Sequence, residues 1–160
     1  MSHHKSKVEQ TARVIAYAVK ESDPDGMELY FASDMGECRK YKKSSKIENA
    51  IRDHSFRSNR TTSMAKCLAE LLKSIPHRTK PGCDPRPVSI YVLTDAVWEE
   101  GDPGVDRCIV TEARRLSKEE LPPSATMIQF IRFGDRLNRQ ASERVKYLDD
   151  NLVNKFDLGV

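Results

Sequence analysis

The sequence lacks the features that define several large classes of protein. It has no apolar run long enough to cross a bilayer and no signal peptide, so we expect a cytoplasmic protein that does not bind membranes. Its four cysteines show neither close spacing nor a paired pattern, which argues against a zinc site and favours reduced thiols. The net charge of +3 is too small to argue for nucleic acid as a partner.

The glycine-rich and serine-centred motifs of common enzyme folds are also missing. There is no Gly-x-Gly-x-x-Gly turn for a dinucleotide, no Gly-Lys-Ser/Thr phosphate loop and no Gly-x-Ser-x-Gly nucleophile elbow. These absences argue against dehydrogenases, P-loop nucleotidases and the usual serine hydrolases. A mononucleotide or metal-dependent hydrolase remains open, with Asp95 and Asp135 as its paired carboxylates.

The hydrophobic pattern predicts an α/β protein of one domain spanning residues 1–160. Apolar residues at helical spacing alternate with short runs rich in aliphatic and aromatic residues, which indicates a largely parallel sheet. Helices are predicted around Val8–Val19, Ser45–Asp53, Ala65–Ile75, Val105–Leu116 and Ala141–Leu152. Strands are predicted at Met27–Ala32, Glu37–Tyr41 (a lysine-rich edge strand), Val88–Thr94 and Met127–Phe133.

The strand at Val88–Thr94 is the most informative of these because it ends abruptly in a carboxylate, Asp95. Both of its faces are largely apolar, as expected of a strand covered by helices on each side. Ligands of open α/β sheets bind outside the carboxyl ends of the strands, which makes Asp95 the first candidate site residue. The hydroxyl of Thr62 (or Thr61) precedes the next helix and would suit a hard divalent cation together with that carboxylate. Thr62 as a helix cap and Asp95 as the start of a turn are the plain alternatives.

The order of these segments resembles a von Willebrand factor type A domain, and most closely the uncharacterised intracellular members of that family from fungi. The resemblance covers nearly the whole chain and rests on the ordered set, since no single motif is decisive. The segments that carry it are Asp25–Phe31, Thr61–Leu68, Ile90–Asp95, Ile128–Asp135 and Leu148–Leu152.

The resemblance implies a Rossmann-like three-layer sandwich that binds proteins through a metal-ion-dependent adhesion site. Thr62 matches the family's threonine ligand and Asp95 its aspartate ligand, whereas Ala96 stands where the family often has glycine. A partner's acidic side chain would complete the coordination shell of Mg²⁺ or Mn²⁺. No catalytic residue and no organic cofactor is implied.

The family's Asp-x-Ser-x-Ser loop, which supplies further ligands, does not occur in these 160 residues. We therefore expect that the chain starts downstream of the true domain start, lacks the first, central strand of the sheet, and is truncated at both ends. Because Mg²⁺ takes about six oxygen ligands, metal binding by Thr62 and Asp95 alone is expected to be weak or absent. The missing strand also predicts marginal stability and self-association through an open strand edge.

Three functions follow from these expectations. The first is a metal-dependent protein-interaction module, the second a purely structural or non-functional remnant of such a domain, and the third a metal-dependent hydrolase. Separately, the basic residues Arg39, Lys40, Lys42, Lys43 and Lys46 predict either a solvated stretch or a contact with an acidic or phosphate-bearing partner.

Overall fold

The computed structural model describes residues 4–21, 23, 25–55, 63–75, 87–97, 104–134 and 138–151, and the chain divides into two compact units, Met1–Thr62 and Ser63–Val160. No helix in these described ranges is long and apolar enough to cross a membrane.

The first unit consists of two helices and a β-hairpin. Its elements are α1 (Lys5–Val19), β1 (Met27–Phe31), β2 (Asp34–Tyr41) and α2 (Ser44–Asp53). Apolar residues three to four positions apart lie on one face of each helix, and this spacing buries Val8, Ala12 and Ala16 on α1 and Ile47 and Ile51 on α2.

Ion pairs link the polar rims of α1 and α2. Glu48 lies 3.3 Å from Arg13 and 2.6 Å from Arg52, and Arg52 also lies 3.5 Å from Glu9. Because the two arginine side chains are more than half exposed, we assign these pairs a small share of the stability and the buried aliphatic residues the larger one.

The hairpin is antiparallel and depends on a glycine at its entrance. Met27 is opposite Tyr41 and Leu29 is opposite Arg39. Gly26, just before β1, has φ +92°, and a Cβ placed there would lie 2.6 Å from the carbonyl oxygen of Tyr41. A residue without a side chain is therefore required at this position.

The second unit consists of helices that pack against a parallel strand pair. Its elements are α3 (Met64–Ser74), β3 (Val88–Thr94), α4 (Gly104–Lys118), a 3₁₀ turn (Pro123–Ala125), β4 (Thr126–Arg132), α5 (Arg139–Lys146) and a π-helical turn (Tyr147–Asn151). The side chain of Ser63 caps α3 by accepting a hydrogen bond from the Lys66 amide, and Asn138 caps α5 by accepting one from the Ala141 amide.

The core of this unit lies between α3, α4 and one face of the sheet. Strand residues of alternate position, Val88 and Ile90 on β3 and Ile128 and Phe130 on β4, pack against it. The buried members of the cluster are Ala65, Leu68, Leu72, Ile75 and Val105.

A buried carboxylate joins α4 to the beginning of β4. The Glu112 side chain is 7% exposed and accepts hydrogen bonds from Arg115 Nε at 2.9 Å and Nη2 at 2.6 Å. The hydroxyl of Thr126 donates a third bond to the same carboxylate at 3.1 Å, and Arg115 also pairs with Glu119. The hydrogen bonds that Arg115 donates to Glu112 raise the pKa of Arg115 above its usual value.

These observations confirm a mixed α/β protein, although the described strands form two two-stranded sheets and only the β3–β4 sheet is parallel. Each predicted helix and strand has a counterpart in the described ranges. The last predicted helix is α5 followed by the π-helical turn, and its final residue, Leu152, lies outside the described residues. The edge strand begins at Asp34 rather than Glu37, since the turn between β1 and β2 takes only Ala32 and Ser33.

The expectation that β3 is covered on both faces is only half correct. The face that carries Val88 and Ile90 packs on the helices, but on the opposite face Ser89 is exposed and Met127 is 45% exposed. Apolar alternation alone cannot report this difference, because Tyr91 and Leu93 on the more open face are apolar as well.

Candidate functional site

Asp95 lies at the edge of the sheet where the parallel strands β3 and β4 both end. Thr94 is in register with Arg132, and the amide of Phe133 donates a hydrogen bond to the Thr94 carbonyl at 2.7 Å. The pairing therefore continues to the last residue of β3, and Asp95 begins directly beyond it. This position agrees with the prediction that Asp95 lies at the carboxyl end of a parallel strand.

Two side-chain hydrogen bonds shape the turn that follows β3. The buried hydroxyl of Thr94 accepts the amide proton of Ala96 at 3.0 Å, and Asp95 Oδ1 accepts the amide proton of Val97 at 3.3 Å. Thr94 is thus occupied within the turn, and Asp95 has the turn-forming role that the sequence left open.

Ala96 adopts a conformation that favours glycine. Its φ is +58° and its side chain is 1% exposed. A Cβ costs roughly 1 kcal/mol in this left-handed backbone, so glycine would be favoured over alanine at this position. The Arg144 side chain donates to the Ala96 carbonyl at 3.5 Å, so α5 also contacts this turn.

The described residues do not by themselves supply the ligands that Mg²⁺ or Mn²⁺ requires. No group of three or more His, Cys, Asp or Glu side chains that could hold a metal occurs in the described ranges. Thr62 and its alternative Thr61 lie outside these ranges, as does Asp135. Asp95 is the one predicted metal ligand whose position is described. One carboxylate supplies at most two of the roughly six oxygen ligands that Mg²⁺ takes.

Three cysteines lie in the described residues, and no disulfide bond joins Cys38, Cys67 and Cys108 to one another. Cys83 lies outside the described residues. Burial raises the pKa of the Cys67 thiol, which makes it a poor nucleophile at neutral pH. The Cys108 thiol donates to the Ala65 carbonyl at 3.4 Å and so ties α4 to α3.

A cleft of about 440 Å³ in the first unit is a second feature with the size of a ligand site. It lies between the hairpin and α2, and its lining is mainly polar and aromatic. Its lining residues are Phe31, Arg39, Tyr41, Lys46, Asn49, Ala50, Asp53, His54 and Ser55.

A stacked pair of rings, Phe31 and His54, lines one part of this cleft. The imidazole of His54 lies parallel to the Phe31 ring, with 3.7 Å between centroids and 2° between planes. His54 Nε2 lies 3.2 Å from the Ser33 hydroxyl, and the His54 carbonyl accepts a hydrogen bond from Lys5 Nζ at 3.0 Å. These contacts fix the end of α2 against the hairpin turn.

The sequence analysis did not predict the cleft. The basic run from Arg39 to Lys46 was the available signal, but the run alone does not show which cations share a face. Strand alternation places Arg39 and Tyr41 together, and helical spacing places Lys46 beside Asn49 and Asp53. Only the pairing of the two elements brings these sets into one cleft.

Comparison with known proteins gives no further guide to either site. No family model, curated protein or solved structure shows significant similarity to the chain.

Proposed function

We propose that the chain is a protein-interaction module of the von Willebrand factor type A kind, with Asp95 and Thr62 as the part of a divalent-metal adhesion site that this sequence carries. The observation that carries the proposal is the position of Asp95 directly beyond the end of a parallel strand pair. That edge is where open α/β sheets place their ligands.

The corresponding fold is a Rossmann-like three-layer sandwich that lacks the first, central strand. The parallel register of β3 and β4 and the helices α3 and α4 on one face of that pair support this arrangement. The more open face, with Ser89 and Met127, is where the second helical layer of such a sandwich would pack.

The proposed role of the site is to bind a partner's carboxylate through a metal ion that Asp95 helps to hold. The Val97 amide holds one oxygen of the Asp95 carboxylate, so the orientation of this side chain is set by the turn before any partner arrives. A bound Mg²⁺ or Mn²⁺ would supply an open coordination position for a carboxylate of the partner. Neither a nucleophile nor a general base is needed, so the proposed activity is binding and not catalysis.

Isothermal titration calorimetry of the whole chain with Mn²⁺, in the absence of any partner, tests the proposal. We expect weak binding, with a Kd on the order of 1 mM, because most ligand positions are left to water. Asp95→Asn should abolish the heat of binding and Thr62→Ala should reduce it several-fold. Asp149→Asn is the matched control, since Asp149 is exposed on the π-helical turn, and it should bind as the wild type does.

Equal binding by the Asp95 and Asp149 variants would contradict the proposed site, because the heat would then come from scattered surface carboxylates. No binding by the wild-type chain would favour the structural remnant over the metal-dependent module. Far-ultraviolet circular dichroism of each variant separates loss of the site from loss of the fold.

Self-association through an open edge is part of the same proposal. Since β3 and β4 form a sheet of only two strands among the described residues, each has one edge that no described strand covers. Sedimentation velocity at increasing protein concentration measures this association directly.

A further inference from the structure

The cleft of the first unit is formed by one face of a helix and one face of a strand pair. Positions 46, 49, 50 and 53 recur at helical spacing and form one side of α2, while Ile47 and Ile51 are buried on another side. Positions 31, 39 and 41 share the hairpin face opposite them. Because most of these side chains end in polar groups, the two faces enclose a polar cleft and not a hydrophobic core.

The two ends of the cleft carry opposite charges. The chain passes from Tyr41 into α2 within a few residues, so Lys46 and Arg39 lie towards the start of the helix. Asp53 and the stacked Phe31–His54 pair lie at its other end. Seven residues of helix separate Lys46 from Asp53, which is about 10 Å along the axis.

Two cationic residues, Arg39 and Lys46, line the first end of the cleft, and both are exposed. The ion pairs between described residues do not join Lys46 to a carboxylate. Lys42 and Lys43 precede α2 but line a separate, smaller pocket beside α1. Arg39 and Lys46 therefore give this end of the cleft a positive potential.

We propose that this cleft binds an acidic segment of a partner protein, with Arg39 and Lys46 holding its carboxylates. This site is distinct from the Asp95 edge and needs no metal. An extended peptide advances about 3.3 Å per residue, so three to four residues span the cleft from its cationic end to the Phe31–His54 pair.

The lining favours a peptide over a nucleic acid. Phe31 and His54 stack on each other, so one face of each ring is already covered and unable to stack on a base. The Asp53 carboxylate at the far end would repel a continuous run of phosphates, whereas it tolerates a peptide with its charge at one end.

Fluorescence anisotropy tests the proposal in buffer that contains EDTA, with a fluorescein-labelled peptide of three glutamates followed by three glutamines. A hexaglutamine peptide with the same label should not bind. Lys46→Gln and Arg39→Gln should each weaken binding of the acidic peptide roughly tenfold, the lower end of the loss expected for one charge-assisted hydrogen bond. The affinity should also fall as salt rises from about 50 to 300 mM, because the contact is electrostatic.

Lys66→Gln and Lys73→Gln on α3 are the matched controls, since both lysines are exposed and carry the same charge change. They should alter the affinity less than twofold. Equal losses in the α3 and cleft variants would overturn the proposal, because binding would then follow net charge alone. Binding that disappears in EDTA and returns with Mn²⁺ would also overturn it and would assign the peptide to the Asp95 edge.

Discussion

Replacing Glu112 by glutamine removes a buried negative charge from the junction of α4 and β4, and the free energy of unfolding should fall. In the native protein this carboxylate accepts two hydrogen bonds from Arg115 and one from Thr126. Glutamine keeps the shape of the side chain but offers one acceptor oxygen, and its amide group would face the Arg115 guanidinium. The variant therefore tests the charge and leaves the volume of the side chain nearly unchanged.

The expected loss is about 2 kcal/mol. Removing one partner of a fully buried pair costs about 3–5 kcal/mol, because a charge is left without compensation. Here the Arg115 side chain is 24% exposed and keeps its contact with Glu119, so water and a second carboxylate reduce the penalty. A hydrogen bond to a charged group contributes about 1.5–3 kcal/mol, which leads to the same range.

Urea unfolding, followed by circular dichroism and by the fluorescence of the single tryptophan, measures this loss. Glu119→Gln is the control, because Glu119 pairs with the same arginine but its side chain is 46% exposed. This control should cost no more than about 0.5 kcal/mol. Equal losses for Glu112→Gln and Glu119→Gln would refute the assignment of Glu112 as the anchor of β4.

Two further predictions concern the hairpin of the first unit. Gly26→Ala should lower the free energy of unfolding by about 2 kcal/mol or more, because the new Cβ would lie 2.6 Å from the Tyr41 carbonyl oxygen and φ is +92°. Urea titration measures this loss. A loss below about 0.5 kcal/mol would contradict the described turn. Burial and a hydrogen bond with Cys38 raise the pKa of the Tyr30 phenol. Since this raised pKa favours the neutral phenol in the folded state, its stabilising effect is complete below about pH 10 and is lost as pH rises further. A pH titration followed by absorbance at 295 nm should therefore show one tyrosine that ionises at a higher pH than the others. Tyr30→Phe should remove that step from the titration curve. A curve that is the same in the variant and the wild type would contradict the environment assigned to Tyr30.

The sequence predicted the secondary structure well because each element has a strong local signal. Ile47 and Ile51 repeat at helical spacing and are both buried, and the run from Val88 ends at Thr94 as predicted. On α4 the apolar spacing does not fix which face is buried, and the structure buries Val105, Val110 and Leu116. Apolar residues on neighbouring faces of a helix leave its rotation ambiguous until its packing partners are known.

Burial of Glu112 could not be predicted from its position in the chain. A glutamate on an amphipathic helix is usually solvated, and here it is buried because Arg115 and Thr126 converge on it. Thr126 belongs to another element, so the tertiary structure had to be known first.

The candidate site was predicted only in part for a similar reason. Asp95 follows a strand with a clear end, so its place at the sheet edge could be predicted. The left-handed backbone of Ala96 could not, because alanine gives no local signal for a positive φ. Thr62, the other predicted ligand, lies outside the described residues and its role stays a prediction.

The parallel register of β3 and β4 has a consequence for the order in which the chain folds. Phe31 pairs with Asp34 across a tight turn, so the entropy lost in closing the loop of the first hairpin is small. Val88 pairs instead with Thr126, and the connection between them contains all of α4. The chain must lose the entropy of closing this long connection before any hydrogen bond between β3 and β4 forms. The strand pair that positions Asp95 therefore has a high contact order, and it is expected to form after the local elements on which it packs.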